Sequence, residues 1–354
     1  MKIKNIVSIV LLASLLLSMS VWCIFGEKAE FSESERRALA KFPTLSVESV
    51  MSGEFAKKFE EYATDVFPKR DLWRSIKAYT RLYGFWQKDN NKIFTSEGHL
   101  SKLEYPANYQ MADHAIEVFN KINDKFLAEG NNVYFAMIPD KNKYLADLAI
   151  DYAEYEKYMA EGLDFAENIS IQELLSADDY YYTDTHWRQE KITHVADFIA
   201  KAMGSSISGE YSTVTLDTPF NGVYVGQSAL NVEPDTLSYL TNDTIEGYKV
   251  QGAQAVYDMS KAESRDPYEM FLSGNQALVT IKNPANAEGK RLIVFRDSFG
   301  SSIAPLLAEG YSEVILIDLR YVASDMLGSF IDFGDADVLF MYSTLLLNSS
   351  LALK

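Results

Sequence analysis

The chain has one cysteine, Cys23, and four histidines in 354 residues. A disulfide framework and thiol catalysis in the globular part are thereby excluded, because Cys23 sits in an apolar N-terminal run. Widely spaced histidines without thiols also argue against a structural zinc site. Basic residues are scarce as well, 33 against 50 acidic ones, a formal net charge of −17. Nucleic acid is an unsuitable partner for such a surface, since phosphate neutralisation requires clustered Lys and Arg. No internal repeat and no low-complexity tract is present. What remains is a chain that is 47% hydrophobic and 13% aromatic, enough for one large or two modest domains.

Lys2 and Lys4 precede an apolar run from Ile6 to Phe25. As a helix it would cross the ~30 Å hydrocarbon core of a bilayer. The basic residues before it, with Glu27 and Glu30 after it, orient the globular part outside the cytoplasm. Cleavage at Ser18-Met-Ser20 as a signal peptide is the competing reading, against which the run continues apolar to Phe25. The expected organisation is an anchor or signal segment over 1–26, a helical stem over 27–95 and an α/β domain over 96–354. In the stem Phe55, Phe59 and Tyr62 recur at helical spacing, Pro68 interrupts, and Leu72, Ile76, Tyr79 and Tyr83 resume.

Beyond the stem, short continuous apolar runs alternate with helical patterns. Asn132–Ile138, Leu292–Phe295, Glu313–Ile317 and Val338–Met341 read as buried strands. Helices are expected over about 107–128 and 189–203. That alternation predicts a parallel sheet covered by helices on both faces. Residues 205–285, rich in Thr, Asn, Asp, Gly and Tyr, read as an insertion of loops and short antiparallel strands.

Ligands of open parallel sheets collect at the carboxyl ends of strands. There Asp297-Ser298 breaks an apolar strand, and a Gly/Ser turn opens a helix whose unpaired N–H groups suit an anionic oxygen. A serine hydroxyl needs a base to become a nucleophile. Tyr182-Thr-Asp-Thr-His-Trp187 offers His186, with Asp184 two residues before it to fix the imidazole tautomer. Both side chains would leave the same side of an extended segment. Arg320-Tyr321 and Tyr342-Ser343 end the next strands and would edge the same crevice, the former as a second oxyanion donor. Trp187 suits burial under the helix that follows ahead of stacking on a sugar ring. Ser301 and Ser302 read as helix-turn caps, and His99, His114 and His194 lack a carboxylate at matching spacing.

Thr183-Asp-Thr-His-Trp187 resembles the Asp-x-His-Trp signature of alginate O-acetyltransferases and of the bacterial DHHW family. Arg296-Asp-Ser-Phe-Gly300, Pro305 and Ile317-Asp-Leu-Arg-Tyr321 are similar to the serine block of DHHW proteins. Phe55, Phe59-Glu60, Tyr62, Asp65, Phe67-Pro68 and Arg70 in the stem, and Phe271-Leu-Ser-Gly-Asn275, extend the likeness. Thr185 stands where the family name has histidine, and Ser343 where relatives tend to have the asparagine of an oxyanion hole. The resemblance implies a permuted SGNH-hydrolase-like domain with Asp184, His186 and Ser298 as a triad and no cofactor or metal. It further implies acetyl transfer to an exported or cell-surface polysaccharide, with a multi-span membrane acyltransferase as partner. An O-acetyl esterase with the same triad, and a membrane-anchored glycan-binding protein without turnover, are the alternatives.

Overall fold

The computed structural model describes residues 3–127 and 130–354. Lys2, one of the two basic residues before the apolar run, lies outside the described residues. So does Ala128, the expected end of the first domain helix. Contacts divide the chain into two compact units, Met1–Asn91 with Val225–Asn231, and Lys92–Tyr224 with Val232–Lys354.

The first unit opens with helix α1 (Ile3–Phe25), whose stretch Ile3–Cys23 has a mean hydropathy of 2.4. Residues 27–46 are not helical, contrary to the periodicity reading. Phe31–Ser32 pairs antiparallel with Arg37–Ala38, and the intervening turn is fixed by Ser32 Oγ, which accepts the Glu35 N–H at 3.2 Å. A serine that bonds nearby backbone competes with helix formation in this way. Two amphipathic helices follow, α2 (Glu54–Asp65) and α3 (Arg70–Tyr79). Asp65 ends α2 and receives the Arg37 guanidinium at 2.6 and 2.8 Å. Val225–Asn231, from the expected insertion, is fastened to α3 by Arg74, which donates to the Gly226 carbonyl at 2.6 Å, and by Ser75, which donates to that of Ala229 at 2.8 Å.

The second unit is an α/β fold. In chain order it contains α4 (Tyr109–Phe126), β1 (Val133–Ile138), α5 (Tyr152–Gly162), β2 (Glu167–Asn168) and α6 (Thr193–Ala202). A hairpin of β3 (Ser212–Phe220) and β4 (Asp235–Thr241) comes next. After it come β5 (Lys249–Gln251), β6 (Leu278–Lys282), β7 (Arg291–Arg296), α7 (Gly300–Leu307), β8 (Glu313–Ile317) and β9 (Asp337–Ser343). The seven-stranded sheet has the order β2-β1-β9-β7-β8-β6-β5. Strands β2 to β8 of that order run parallel. β6 and β5 add antiparallel at one edge. The tail of the expected insertion thus joins the main sheet.

Successive residues of a strand face opposite sides, and here both sides are buried. Leu292, Val294, Leu339 and Met341 share a core with Val195 and Ile199 of α6 and Ile303 and Leu307 of α7. Ile293, Phe295, Phe340 and Tyr342 share the other with Phe119 and Ile122 of α4 and Tyr155 and Met159 of α5. Two-sided burial explains why these strands read as unbroken apolar runs. Adjacent β7 and β9 bring their carboxyl ends, Asp297 and Ser343, together at the edge where the chemistry collects.

Candidate active site

Ser298 follows β7 directly. Gly300 starts α7 so close to the strand that a Cβ there would lie 2.7 Å from Arg296 Cβ; the turn therefore needs glycine. Buried Asp297 braces it from below. Its Oδ1 accepts the Phe299 N–H at 3.0 Å, and its Oδ2 accepts the Ser343 N–H at 2.9 Å and the Ser343 hydroxyl at 2.6 Å. Ser298 alone of this turn is left half-buried rather than buried.

Asp184 and His186 lie on a turn instead of an extended strand. Tyr180 bridges Trp187 antiparallel, and Asp184 Oδ1 accepts the His186 N–H at 3.1 Å. This local bond, not strand alternation, puts both side chains on one side. His186 Nδ1 then lies 2.6 Å from Asp184 Oδ1, and Nε2 lies 2.7 Å from Ser298 Oγ across 112 residues of sequence. A carboxylate only accepts, so Nδ1 carries the proton and Nε2 is free to accept the serine hydroxyl. Burial opposes charge on Asp184, but the imidazole and the N–H groups of Val223 and His186 outweigh it, holding the carboxyl well below its usual range.

Several groups that sequence reasoning passed over hold this turn. Asp235, at the start of β4, accepts the N–H groups of Tyr182 and Thr183 at 2.8 and 2.7 Å and the Thr183 hydroxyl at 2.6 Å. Lys141 Nζ, fully buried, donates to the carbonyls of Tyr181 and Tyr182 at 2.7 and 3.1 Å. Burial brings its pKa down to about 7. Val223 N–H donates to Asp184 Oδ2 at 2.8 Å. Only the Pro139-Asp-Lys141 break after an apolar strand and the Asn221-Gly222 turn dipeptide hinted at these roles; Asp235 left no local signal.

Trp187 is fully buried, as the sequence favours, and the alternative of a sugar platform is corrected. Its Nε1–H donates to the Phe299 carbonyl at 3.2 Å and to Ser302 Oγ at 2.9 Å. The indole thus pins the histidine turn to the serine turn. Ser302 is a junction rather than a cap, since it also receives the Tyr268 hydroxyl at 2.9 Å.

Of the donors expected from Arg320-Tyr321 for the oxyanion, several are engaged within their own turn. Arg320 N–H donates to Asp318 Oδ1 at 3.0 Å, and Tyr321 N–H donates to the Asp318 carbonyl at 3.0 Å. The Arg320 guanidinium grips both Asp318 oxygens at 2.9 and 2.6 Å. The two backbone N–H groups and these two guanidinium nitrogens are thus committed to Asp318. Ser343 is spent on Asp297 and caps the helical turn after β9, so it leaves the donor list too. His99 is buried and stacked on Tyr182 at 4.2 Å, its pKa lowered to about 4 by burial and by Lys141. His114 meets Ser350 Oγ, and His194 the Leu174 carbonyl. Among the described residues no cluster of His, Cys, Asp or Glu could hold a metal ion.

Gly222 passes so near Asp184 that a Cβ would meet its backbone N and Cα at 2.4 Å. Gly222→Ala should push the Val223 N–H off Asp184 and tilt the imidazole. Turnover is expected to fall about 100-fold, the usual consequence of displacing a reacting group by about 1 Å. Steady-state kinetics of the variant check this.

Residues 170–317 match the family model described as DHHW protein, a segment that holds Asp184, His186 and Ser298. No curated protein matches the chain. Among solved structures, a DHHW family protein from Eubacterium siraeum is similar at TM-score 0.56 and 22% identity, covering 75% of this chain and 94% of that one. Bacillus cereus PatB1 is similar at TM-score 0.59 and 18% identity, covering 72% and 96%. The O-acetyltransferase domain of Pseudomonas putida AlgJ aligns at TM-score 0.44 and 12% identity, over 72% and 92%. The fold shared with the first two is the α/β arrangement expected from the sequence, a largely parallel sheet flanked by helices with the Asp-His block ahead of the serine block.

Proposed function

We propose that this chain transfers acetyl groups through Ser298 onto hydroxyls of a cell-surface or exported polysaccharide. The observation that carries the reading is the continuous relay Ser298 Oγ, His186 Nε2, His186 Nδ1, Asp184 Oδ1, with links of 2.7 and 2.6 Å. In the first half-reaction Ser298 Oγ attacks the donor's acyl carbonyl while its proton passes to His186 Nε2. The tetrahedral intermediate collapses, the bond to the donor breaks, and the leaving group takes that proton. In the second half, an acceptor hydroxyl attacks the acyl-serine and gives its proton to His186. Collapse releases the new ester and returns the proton to Ser298. The Ser298 N–H at the head of α7 is the oxyanion donor in this scheme. The apolar helix α1 supports placing the globular units outside the membrane, as anchor or cleaved signal. A multi-span membrane acyltransferase is the proposed source of acyl groups.

The test is the purified globular part with a chromogenic acetyl ester, with and without oligosaccharides. Acetylated oligosaccharide formed above the level of hydrolysis is the expected result. Acetate alone would reassign the chain as an O-acetyl esterase. No labelling by a serine-directed fluorophosphonate, or equal labelling of Ser298→Ala, would favour a glycan-binding protein without turnover.

A further inference from the structure

Tyr268 comes from the turn Pro267–Met270, far in sequence from both catalytic blocks. Its ring lies over the His186 imidazole at a centroid distance of 3.7 Å and an interplanar angle of 8°. Phe299 meets the imidazole at 4.9 Å and 52°. Tyr268 is itself buried and immobilised. Its hydroxyl donates to Ser302 Oγ at 2.9 Å, and Phe271 packs against its ring at 5.0 Å. Burial raises its pKa, so the phenol stays neutral.

Two neutral rings prefer offset or edge-to-face contact, because stacked faces repel through their quadrupoles. A near-parallel stack at this distance is therefore a poor arrangement for neutral imidazole. It becomes a favourable one when the imidazole gains a proton, since the negative face of a phenol attracts a cation above it. We infer that Tyr268 is a positioning residue that fixes the His186 ring plane and stabilises the imidazolium only while it exists. The inference rests on the acyl-transfer reading above. In each half-reaction a proton leaves a hydroxyl, Ser298 or the acceptor, and resides on His186 Nε2 before moving on. Asp184 balances that charge from the ring edge and Tyr268 from the ring face. An interaction stronger in the charged state than in the resting one lowers the barrier without tightening substrate binding.

The experiment replaces Tyr268 with phenylalanine, with phenylalanines bearing one, two and three ring fluorines, and with leucine. Tyr268→Phe keeps the ring and should stay within about threefold of wild-type kcat. Along the fluorinated series shape is retained while the ring face loses negative potential, so log kcat should fall stepwise with KM and unfolding midpoint unmoved. Tyr268→Leu should lose about ten- to thirtyfold in kcat, the scale of a desolvated cation–π contact. A flat kcat across the fluorinated series, with Ser298→Ala inactive, overturns the inference and leaves the acyl-transfer reading standing. A wild type without turnover and without labelling at Ser298 overturns both.

Discussion

Ser298→Ala is expected to lower turnover of an acetyl ester by about 10⁴-fold or more, and His186→Ala to do the same. The hydroxyl and the imidazole act as one device, so the double variant should be no worse than either single one. Acyl transfer without Oγ has no covalent intermediate, and only positioning and oxyanion contacts remain. The loss should appear in kcat, since in the proposed scheme Oγ is a reacting atom and not a binding group. Folding should be little affected. Ser298 is half-buried beside His186, whereas the turn itself is held by Asp297 through Phe299 and Ser343. Steady-state kinetics and thermal unfolding of the same preparations check both parts. Activity of Ser298→Ala within tenfold of wild type would remove the nucleophile from the scheme, whatever the fate of the histidine.

The elements that the sequence revealed are those whose physics is local. Leu292–Phe295 and Val338–Met341 announce themselves because a strand buried on both faces has no polar alternation to break the run. Ser298 stands out because Asp297 and Gly300 punctuate the strand–helix junction, and Asp184 because it lies two residues from a histidine, a pairing that holds through a local turn bond and not through the extended segment expected. Long-range partners leave no such mark. Asp235 grips the histidine turn from β4 yet reads as an ordinary charged residue, and Lys141 from beyond β1 is marked only by the break at Pro139. Tyr268 is one of 22 tyrosines, and nothing near it in sequence says that its ring faces His186. Arg320, Tyr321 and Ser343 occupy the expected strand ends, but position at an edge does not tell which N–H or hydroxyl is already engaged. Asp318 claims the Arg320 and Tyr321 backbone N–H groups, and Asp297 the Ser343 hydroxyl. Trp187 was legible as aromatic and adjacent to His186, and only packing shows its indole turned inward to Ser302.

Asp184→Asn is expected to reduce kcat by about 10³- to 10⁴-fold with little change in KM, although the side chains are nearly isosteric. Both Asp184 oxygens only receive. Oδ1 takes the His186 Nδ1–H and backbone N–H, and Oδ2 takes the Val223 N–H. An asparagine must place an NH₂ at one of these two positions. If the amide oxygen faces His186, the NH₂ meets the Val223 donor, and two donors confront each other in a buried site. If the amide turns over, its NH₂ donates to Nδ1, the imidazole proton moves to Nε2, and the ring can no longer accept the Ser298 proton. The second outcome disables the base, and the first keeps its tautomer only at the cost of that donor clash; Ser298, Asp297 and the α7 turn stay in place in both. Loss of the carboxylate also removes the charge that balances an imidazolium. Two measurements separate this account from simple unfolding: a retained unfolding transition, and an imidazole nitrogen resonance reporting a proton on Nε2. Wild-type kcat in Asp184→Asn would show that His186 needs no carboxylate behind it, and the relay would shrink to a serine and a histidine.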